Sequence, residues 1–524
     1  MKSTVADGVI AHSNDLRIGD LLSWNRRERP TKPALYDGDL VLSWQGLSDA
    51  ANRLASGLSI LGFGRGSRVA TLVKNDAIAV ELLFGLAIAG AVCVPLNFGL
   101  TDPEIATLLA DSDPNVLICD GDLLSRFEKV LATGKFTKII RAEGAPPKHW
   151  LSYEHVKSLG KPDFESPALA QDIRTIRYTS GTTATPKGCL GTHQQILASI
   201  ANFLKQVPIP KDGPFLQLLP LFSGAGIWMA FAAAYQGVPN VLLPGFDADR
   251  ALQLIEKHRI VYACGVPTMV RRLCDAAEAG GYDLSTLKLL GYTGAPMPPA
   301  VITRAMRVLP CDYYQGFGGG EMGGLISYLL PEDHRADGDR AKRLSSAGRV
   351  AAYAEVVVRG LSDGKPVAIG ETGEVTVRSP SNFSGYHNRE AETAKTLRGE
   401  WVYTGDVGFV DEEGFLHIVD RVKDMIVTGG MNVSSAEVEA VLAEHPCVQS
   451  TAVVGLKDEE WGEVVTGVVT IVPGKAVTES DLINFARARL AGYKTPKAIR
   501  IVSALPLNSA GKILKRELRE QLTP

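Results

Sequence analysis

Residues 68–96 read RVATLVKNDAIAVELLFGLAIAGAVCVPL, and this stretch decides the fold class. Two short β-branched runs, RVATLV and AVCVPL, flank an apolar segment of helical length. Because neighbouring parallel strands are joined by a helical crossover, the pattern predicts a βαβ unit. Since Gly90 and Pro95 interrupt the apolar stretch Leu82–Leu100, we interpret it as a buried helix followed by a buried strand and predict no membrane span.

The same alternation continues along the chain. Thr101 and Glu104 form a T-x-x-E capping box that predicts the start of a helix, and the strand-like run NVLIC follows. Further strand-like runs, PNVLLP, RIVYACGVP and LKLLGYTGAP, stand between segments of helical length. We therefore predict an α/β body with largely parallel sheets that extends to about residue 420.

The pattern of predicted helices and strands changes towards the C-terminus. Within residues 348–419 the runs AEVVVRG, GEVTVRS and FLHIVD predict short strands joined by turns, which indicates a β-rich subdomain. Beyond it we predict helices near Ser435–Ala443 and Glu479–Leu490 within a compact α+β segment. The sequence thus predicts a large N-terminal domain over residues 1–421 and a separate C-terminal domain over residues 422–524.

The composition argues against several classes of protein. The formal net charge of -3 gives no long-range field that would attract nucleic acid, so we expect no nucleic-acid partner. The 7 cysteines show no C-x-x-C spacing, which argues against a disulfide framework and a zinc site. The N-terminal residues include acidic side chains and no apolar run, so we predict no signal peptide and expect a cytoplasmic protein.

The stretch YTSGTTATPKG at residues 178–188 carries the strongest chemical signal. Glycine and small hydroxyl residues leave backbone N–H groups and hydroxyls free to surround phosphate oxygens, and Lys187 adds a positive charge. The stretch is not a Walker A loop, because Gly188 follows the lysine where that motif has Ser or Thr. A surface loop rich in turn-forming residues is the alternative interpretation.

YTSGTTATPKG resembles the phosphate loop of the adenylate-forming superfamily, which includes acyl-CoA synthetases, peptide-synthetase adenylation domains and luciferases. Five further stretches resemble later core motifs of that superfamily and occur in the same order. They are GYTGAPMP (291–298), YYQGFGGGE (313–321), YTGDVG (403–408), DRVKDMIVTGGMNVSSAEVE (420–439) and PLNSAGKILKREL (506–518). The resemblance spans essentially the whole chain and is closest to acid–CoA ligases. It implies ATP-dependent activation of a carboxylic acid and a small C-terminal domain that is mobile relative to the large N-terminal one.

The resemblance also implies a nucleotide site. Its residues would surround the phosphates, the adenine and the ribose of ATP in turn: Thr179, Ser180, Gly181, Thr182, Thr183 and Lys187; Gly294, Ala295, Pro296, Gln315 and Phe317; and Asp406 and Arg421. Glu321 is the implied Mg²⁺ ligand, and a hard carboxylate suits that ion. Ordinary roles are the alternative: a core aromatic for Phe317, helix or turn caps for the two acidic residues, and an ion pair for Arg421.

Residues of the C-terminal part are identified by the same resemblance. Lys512, in the turn SAGK, is the implied lysine that bridges the substrate carboxylate and the nucleotide, and a cation suits a place where two anions meet. With Lys187 and Glu321 it forms the implied catalytic set. Lys423 matches the hinge, and Gly430 matches the tight place where the pantetheine arm of CoA passes, which a missing side chain permits. An exposed linker lysine and an ordinary turn glycine are the alternatives for these two positions.

Two positions depart from the family pattern. Gly320 stands where relatives have Thr before the Mg²⁺ glutamate, and Ser223 stands where many relatives have His. We expect these departures to change which acid the enzyme accepts, because smaller side chains enlarge the floor of the pocket or make it less rigid. The predicted pocket residues are Phe222, Ser223, Trp228, Val266, Pro267, Tyr292, Gly318, Gly320 and Met322. Their apolar and aromatic character favours an aromatic or medium-chain acid over an amino acid.

The leading interpretation is therefore an acid–CoA ligase that uses ATP, Mg²⁺ and CoA. Adenylation that feeds the thiol of a carrier protein is the first alternative. ATP-dependent activation of nitrite towards an aryl amine, which the missing Thr keeps open, is the second. A non-catalytic nucleotide-binding relative is disfavoured because the charged residues of the implied site are all present. The sequence leaves open the acid, the acceptor and the oligomeric state.

Overall fold

A computed structural model of the protein describes residues 15–132, 134–142, 144–179, 186–507 and 513–522. Within these residues the chain divides into two compact units. The first unit runs to Thr179 and includes Pro186–Val356 and Val377–Val402, and the second consists mainly of Val357–Thr376 and Tyr403–Pro524. The predicted boundary between the N-terminal and C-terminal domains stays a prediction.

Helices and strands alternate through most of the first unit, as the sequence predicts. In chain order the helices are α1 (Ile18–Glu28), α2 (Trp44–Ile60), α3 (Ala77–Ala89), α4 (Asp102–Ser112), α5 (Gly121–Ala132), α6 (Tyr153–Leu159), α7 (His193–Gln206), α8 (Gly224–Gln236), α9 (Ala248–His258), α10 (Pro267–Ala279), α11 (Pro299–Val308), α12 (Glu390–Thr396), α13 (Ser435–Ala443), α14 (Glu479–Arg487) and α15 (Lys515–Leu522). Short 3₁₀ helices occur at Pro331–Asp333 and Gly338–Ser345.

The strands of the first half of the chain are β1 (Pro33–Asp37), β2 (Leu40–Ser43), β3 (Arg68–Leu72), β4 (Val92–Pro95), β5 (Val116–Asp120), β6 (Thr137–Arg141), β7 (Trp150–Ser152), β8 (Ile173–Thr179), β9 (Lys187–Thr192), β10 (Phe215–Gln217), β11 (Asn240–Leu242) and β12 (Tyr262–Gly265). Those of the second half are β13 (Leu289–Thr293), β14 (Asp312–Gly319), β15 (Gly324–Leu329), β16 (Arg349–Val350), β17 (Glu355–Arg359), β18 (Gly373–Arg378), β19 (Leu397–Arg398), β20 (Trp401–Val410), β21 (Leu416–Arg421), β22 (Ile426–Thr428), β23 (Met431–Val433), β24 (Val448–Asp458), β25 (Gly462–Ile471) and β26 (Ala498–Ile501).

Two sheets dominate the first unit. Sheet A has the strand order β16-β15-β14-β13-β12-β10-β11-β1-β2, in which the strands from β14 to β1 are parallel and β15, β16 and β2 are antiparallel additions. Sheet B has the order β7-β6-β5-β3-β4-β8-β9 and is parallel except for the β8–β9 hairpin. The prediction of largely parallel sheets is therefore confirmed.

Helix α3 and strand β4 are the two elements predicted within the long apolar stretch. Asp76 caps the helix by accepting a hydrogen bond from the backbone N–H of Ala79, and Gly90 ends it with a φ of 72°. Almost every residue of α3 is buried, which explains why the segment has no polar face. The predicted capping box is also present at α4, where the Glu104 carboxylate accepts hydrogen bonds from the Thr101 backbone and hydroxyl. In the part of the chain that the structure describes, no helix is long and apolar enough to cross a membrane.

The β-rich subdomain predicted for residues 348–419 corresponds largely to sheet C, which has the order β17-β18-β20-β19 with β21 paired to β20. Sheet D has the order β23-β22-β25-β24 with β26 beside β25, and helices α13 and α14 share its apolar core. Helix α13 has the predicted bounds. Helix α14 ends at Arg487 rather than at Leu490, because the Arg489 backbone N–H bonds to the Ala486 carbonyl three residues back and so tightens the chain into a 3₁₀-type turn.

Glu81 is a buried acid on α3, with 4% of its surface exposed. Its carboxylate accepts hydrogen bonds from the Tyr153 hydroxyl (2.9 Å) and the Lys157 ammonium (3.1 Å), both on α6. Burial raises the pKa of Glu81, and the positive charge of Lys157 opposes that rise. Because a buried charge is tolerated only beside its partner, this pair ties α3 to α6.

We predict that Glu81→Ala destabilises the first unit by about 3 kcal/mol, because it leaves the mostly buried Lys157 ammonium without its partner. Glu154→Ala is the matched control, since Glu154 also lies near Lys157 but is largely exposed. The control should cost less than about 0.5 kcal/mol. Chemical denaturation followed by tryptophan fluorescence measures both changes, and equal losses would contradict the importance of the buried pair.

Candidate active site

Strands β10, β12, β13 and β14 of sheet A run parallel, so their carboxyl ends meet at one edge of the sheet. Ligands of α/β proteins bind at such edges. The predicted residues at this edge are Phe222, Ser223 and Trp228 after β10; Val266 and Pro267 after β12; Gly294, Ala295 and Pro296 after β13; and Phe317, Gly318, Gly320, Glu321 and Met322 at the end of β14. The structure therefore brings the predicted adenine and acid residues to the same edge of sheet A.

The segment predicted to line the adenine is an exposed turn. Gly294 follows β13 with a φ of 87°, and the exposed residues Ala295 and Pro296 come next. Gln315 and Phe317 are half-buried on the neighbouring strand β14. The turn and the Phe317 ring therefore both keep exposed surface. The roles of these residues towards a nucleotide stay predictions.

The predicted acid pocket contains both half-buried and fully buried residues. Phe222, Trp228 and Val266 are half-buried, which is what lining residues require. Tyr292 has 0% of its surface exposed, and its hydroxyl lies 3.0 Å from Nε2 of His334. Tyr292 therefore presents no surface to a ligand in this structure. The buried residues Pro267 and Met322 share this property.

Two side chains that follow β10 already have hydrogen-bond partners. The Ser223 hydroxyl caps helix α8, because it accepts a hydrogen bond from the Gly226 backbone (3.0 Å) and donates one to the Pro220 carbonyl (2.7 Å). The indole N–H of Trp228 donates to the Ser199 hydroxyl over 3.2 Å. Ser223 thus has a structural role as a helix cap, whatever its role in the pocket.

The glycine run at the end of β14 has a packing explanation at its first position. A Cβ atom on Gly318 would lie 2.0 Å from the carbonyl oxygen of Gly324 on the antiparallel strand β15. The close approach of these two backbones by itself requires glycine. Gly319 is less confined, because a Cβ atom there would lie 3.2 Å from the end of the Met322 side chain. The missing hydroxyl at Gly320 remains a departure without a structural reason.

Lys187 and Glu321 come from different sheets and contact the same tyrosine. The Tyr386 hydroxyl donates to Oε1 of Glu321 over 2.8 Å, and Nζ of Lys187 lies 5.1 Å from the centre of the Tyr386 ring. Burial and the charge of Glu321 raise the pKa of Tyr386, so its hydroxyl stays protonated and can donate. Burial lowers the pKa of the nearby Arg177 guanidinium, and Glu321 opposes that effect. The cluster therefore places one carboxylate among two cations.

The β8–β9 hairpin presents the two ends of the predicted phosphate loop. Thr179 ends β8 and Lys187 begins β9, and the two residues are partners in the strand register. Other predicted residues lie outside the described residues: Ser180, Gly181, Thr182 and Thr183 of the loop, and Lys512. The structure thus positions the base of the loop and the lysine that follows it.

The second unit contains the remaining predicted residues. Asp406 on β20 and Arg421 on β21 are register partners, and Nε of Arg421 lies 2.7 Å from Oδ1 of Asp406. Lys423 is exposed, and its carbonyl oxygen accepts a long hydrogen bond (3.5 Å) from Arg519. Gly430 is exposed with a φ of 77°, and an added Cβ atom would meet nothing within 4 Å. The structure therefore brings together the two residues predicted for the ribose.

The sequence analysis did not identify Tyr386 or Arg177. Tyr386 stands in SGYHNRE (384–390), where a single aromatic residue in a polar run is a weak signal. Arg177 shares strand β8 with Arg174, which is fully buried. Charged side chains are rarely buried without partners, so two arginines in a strand of a parallel sheet are the signal that points to this region.

The Glu321 carboxylate fits a site for Mg²⁺ that is bound together with a nucleotide. Among the described residues, no group of three or more His, Cys, Asp or Glu side chains is arranged to hold a metal ion. Mg²⁺ keeps several waters and is usually held by one or two carboxylates together with phosphate oxygens. Glu321, a single carboxylate in a cluster that includes Lys187 and Arg177, has the chemistry of such a shared site and not that of a protein-only metal cage.

Known proteins resemble this chain over nearly its whole length. It is 36% identical over 515 residues to a feruloyl-CoA synthase of Amycolatopsis sp, which covers 97% of this chain and 100% of that protein. It is 34% identical over 507 residues to the fatty acid–[acyl-carrier-protein] ligase ScoC of Streptomyces coeruleorubidus, with 95% of each chain covered. The crystal structure of the anthranilate CoA ligase AuaEII with anthranoyl-AMP is similar with a TM-score of 0.85, 27% identity and 97% of both chains covered.

Two family models match separate parts of the chain. Residues 22–387 match the AMP-binding enzyme model, and residues 437–512 match the model of the AMP-binding enzyme C-terminal domain. The first match alone covers more than half of the chain, and it includes both Lys187 and Glu321. The chain therefore belongs to the AMP-binding enzyme family, as the resemblance of its motifs to adenylate-forming enzymes implies.

Proposed function

We propose that this protein is an AMP-forming acid–CoA ligase that acts on an aromatic carboxylic acid. In the first half-reaction the acid and ATP give an acyl-adenylate and pyrophosphate, and in the second the acyl group passes to the thiol of CoA. The convergence of Lys187 and Glu321 on Tyr386, beside the carboxyl edge of sheet A, is the observation that carries the proposal. The full-length similarity to a feruloyl-CoA synthase supports the reaction class.

The substrate class rests on the aromatic side chains near the edge of sheet A. Phe222 packs edge-on against Phe98 with ring centres 5.1 Å apart, and Trp228 packs edge-on against Phe203 at 4.5 Å. Edge-on pairs hold the Phe222 and Trp228 rings in fixed orientations, and a fixed aromatic ring suits contact with a planar acid. The names of the feruloyl-CoA synthase and the anthranilate CoA ligase both specify aromatic acids, which supports the same choice.

The adenylation step joins two anions, so positive charge is the main requirement. A carboxylate oxygen of the acid forms a bond to the α-phosphorus of ATP, and the bond from that phosphorus to the bridging oxygen breaks as pyrophosphate leaves. Lys187 supplies a cation for the phosphates, and Lys512 supplies one between the carboxylate and the α-phosphate. Mg²⁺, when bound through Glu321, spreads further positive charge over the phosphate oxygens.

The thioester step is an acyl transfer. The sulfur of CoA bonds to the carbonyl carbon of the adenylate as the bond from that carbon to the AMP oxygen breaks, and the thiol gives up its proton. Lys423 serves as the hinge between the two half-reactions, and Gly430 leaves room for the pantetheine arm. Asp406 and Arg421, paired in the second unit, hold the ribose of the nucleotide.

A carrier-protein thiol is the second candidate acceptor. ScoC, which is similar to this chain over 95% of its length, is named as a ligase for an acyl carrier protein.

Pyrophosphate exchange with a panel of aromatic and fatty acids, followed by addition of CoA or of an acyl carrier protein, tests both acceptors. An aromatic acid should support exchange, and CoA should then release AMP. AMP release that requires nitrite and an aryl amine, with no effect of CoA, would overturn the proposal. The cytoplasmic location stays a prediction.

For the catalytic lysine we predict a split between the half-reactions. Lys512→Ala should lower acid-dependent pyrophosphate exchange by on the order of 10²–10³, because it removes one cation aimed at the transition state. Thioester formation from a supplied acyl-adenylate should be largely retained. Rapid-quench assays of each half-reaction measure both rates, and equal damage to the two would refute the assignment.

For the thiol channel we predict that Gly430→Leu retains pyrophosphate exchange and loses most CoA consumption, because the side chain fills the path of the pantetheine arm. Any side chain at a φ of 77° also strains the backbone by about 1–2 kcal/mol. Gly474→Leu is the matched control, since Gly474 is exposed in the same unit with a φ of 81° and open space around it. The control should retain both half-reactions. Loss of CoA consumption in both variants would indicate backbone strain and remove the support for a channel.

A further inference from the structure

Tyr386 is the side chain through which the cluster around Glu321 is assembled. Its hydroxyl donates to Oε1 of Glu321, and its ring faces the Lys187 ammonium at 5.1 Å. A cation at that distance from an aromatic ring is attracted by the negative face of the ring. One residue thus contacts the carboxylate predicted for the metal and the lysine predicted for the phosphates.

The backbone around Tyr386 connects the two sheets of the first unit. The bridging segment, residues 383–387, pairs with β9 of sheet B, because Leu190 exchanges hydrogen bonds with Ser384 and Gly385, and the His387 backbone donates to Gly188. At its other end, the Phe383 backbone N–H donates to the carbonyl of Glu321 over 2.9 Å, at the end of β14. Tyr386 therefore stands on a strand-like link from the base of the phosphate loop to the metal-binding glutamate.

Further contacts fix the link on its C-terminal side. Asp111 on α4 accepts hydrogen bonds from the Arg389 guanidinium (2.6 Å) and from the Tyr178 hydroxyl (2.7 Å), so it holds the chain beyond the link and the chain before the phosphate loop. The Tyr386 backbone N–H donates to the Thr393 hydroxyl at 2.9 Å. The tyrosine is thus held in place by groups that do not belong to the cluster.

Among the described residues, the hydrogen bond from Tyr386 occupies only one of the two oxygens of the Glu321 carboxylate. It occupies Oε1 of Glu321, while Oε2 lies next to Gly319, which has no side chain to cover it. A phenol that donates to one oxygen fixes the orientation of the carboxylate plane and so directs the other oxygen. Groups that orient a metal ligand in this way contribute roughly 10–100-fold to the affinity of the site for the metal.

We propose that Tyr386 is a positioning residue that sets the Glu321 carboxylate for Mg²⁺ through its hydroxyl and the Lys187 ammonium for the phosphates through its ring. This inference rests on the proposed function, because it takes Glu321 as the metal ligand and Lys187 as the phosphate-binding cation. It assigns separate tasks to the two parts of one side chain, and the two parts can be removed one at a time.

The hydroxyl is tested with Tyr386→Phe. We expect calorimetric titration to show that the Kd for ATP in the presence of Mg²⁺ rises about 10-fold, because the carboxylate loses its fixed orientation. The Kd for ATP in the presence of EDTA should not change, since the ring still faces Lys187. In the Glu321→Ala background, Tyr386→Phe should have no further effect on either Kd.

The ring is tested with Tyr386→Leu. We expect this variant to weaken ATP binding in EDTA as well, by about 3-fold, because the attraction between the ring and the ammonium is on the order of 0.5–1 kcal/mol. In the Lys187→Ala background the EDTA value should be the same for tyrosine and leucine. Tyr313→Phe is the matched control, since Tyr313 lies on β14 and its buried hydroxyl donates to backbone carbonyls at 2.7 and 2.8 Å. The control should leave both Kd values unchanged.

The outcomes separate this inference from the proposed function. A Tyr386→Phe variant that weakens ATP binding equally with Mg²⁺ and with EDTA, or not at all, overturns the positioning role. If the wild-type affinity for ATP is independent of Mg²⁺, then Glu321 is not the metal ligand and the inference fails with it. Acid-dependent pyrophosphate exchange by the wild-type protein is measured in parallel and reports on the proposed function alone.

Discussion

The repulsion between negative charges is the constraint on which the proposed chemistry of this protein depends. A substrate carboxylate and a nucleotide triphosphate repel one another, so the chain has to gather cations and a metal-binding carboxylate where they meet. Two of the residues predicted for these roles come from different sheets: Lys187 begins β9 of sheet B, and Glu321 follows β14 of sheet A. Residues 383–387 pair with β9, and the Phe383 backbone N–H bonds to the Glu321 carbonyl just after β14, so one short segment links the two regions.

Much of the fold follows from local pattern. The run of strand, apolar helix and strand at residues 68–96, and the box formed by Thr101 and Glu104, depend on neighbours in the chain, and the structure has them as predicted. The order of the strands does not follow from such patterns. Strand β10 pairs with both β11 and β12, and β1 joins the same sheet from the far N-terminal side, through contacts between distant residues. Helix α14 is shorter than the sequence predicts, because the turn from Arg489 back to Ala486 leaves no distinct mark in the sequence.

The candidate site divides in the same way. Lys187, Glu321, Asp406 and Arg421 stand in motifs that resemble those of adenylate-forming enzymes, and that resemblance implies their predicted roles towards phosphate, metal and ribose. Tyr386 and Arg177 join the site through tertiary contacts, and no spacing in the sequence links Tyr386 to Glu321.

Packing also gives some positions a second explanation. Gly318 is required by the close approach of β15, and Ser223 caps α8, so neither glycine nor serine there is evidence about the acid by itself.

In the proposed reaction an oxygen of the carboxylic acid bonds to the α-phosphorus of ATP. The most direct measurement is isotope transfer, in which an aromatic acid labelled with heavy oxygen in its carboxylate reacts with ATP and CoA and the AMP is analysed by mass spectrometry. We expect a single labelled oxygen in the AMP and none in the pyrophosphate, because the bond from the carboxylate oxygen to phosphorus survives when the thiol takes the acyl group. AMP without label, formed while the acid is consumed, would rule out an acyl-adenylate intermediate.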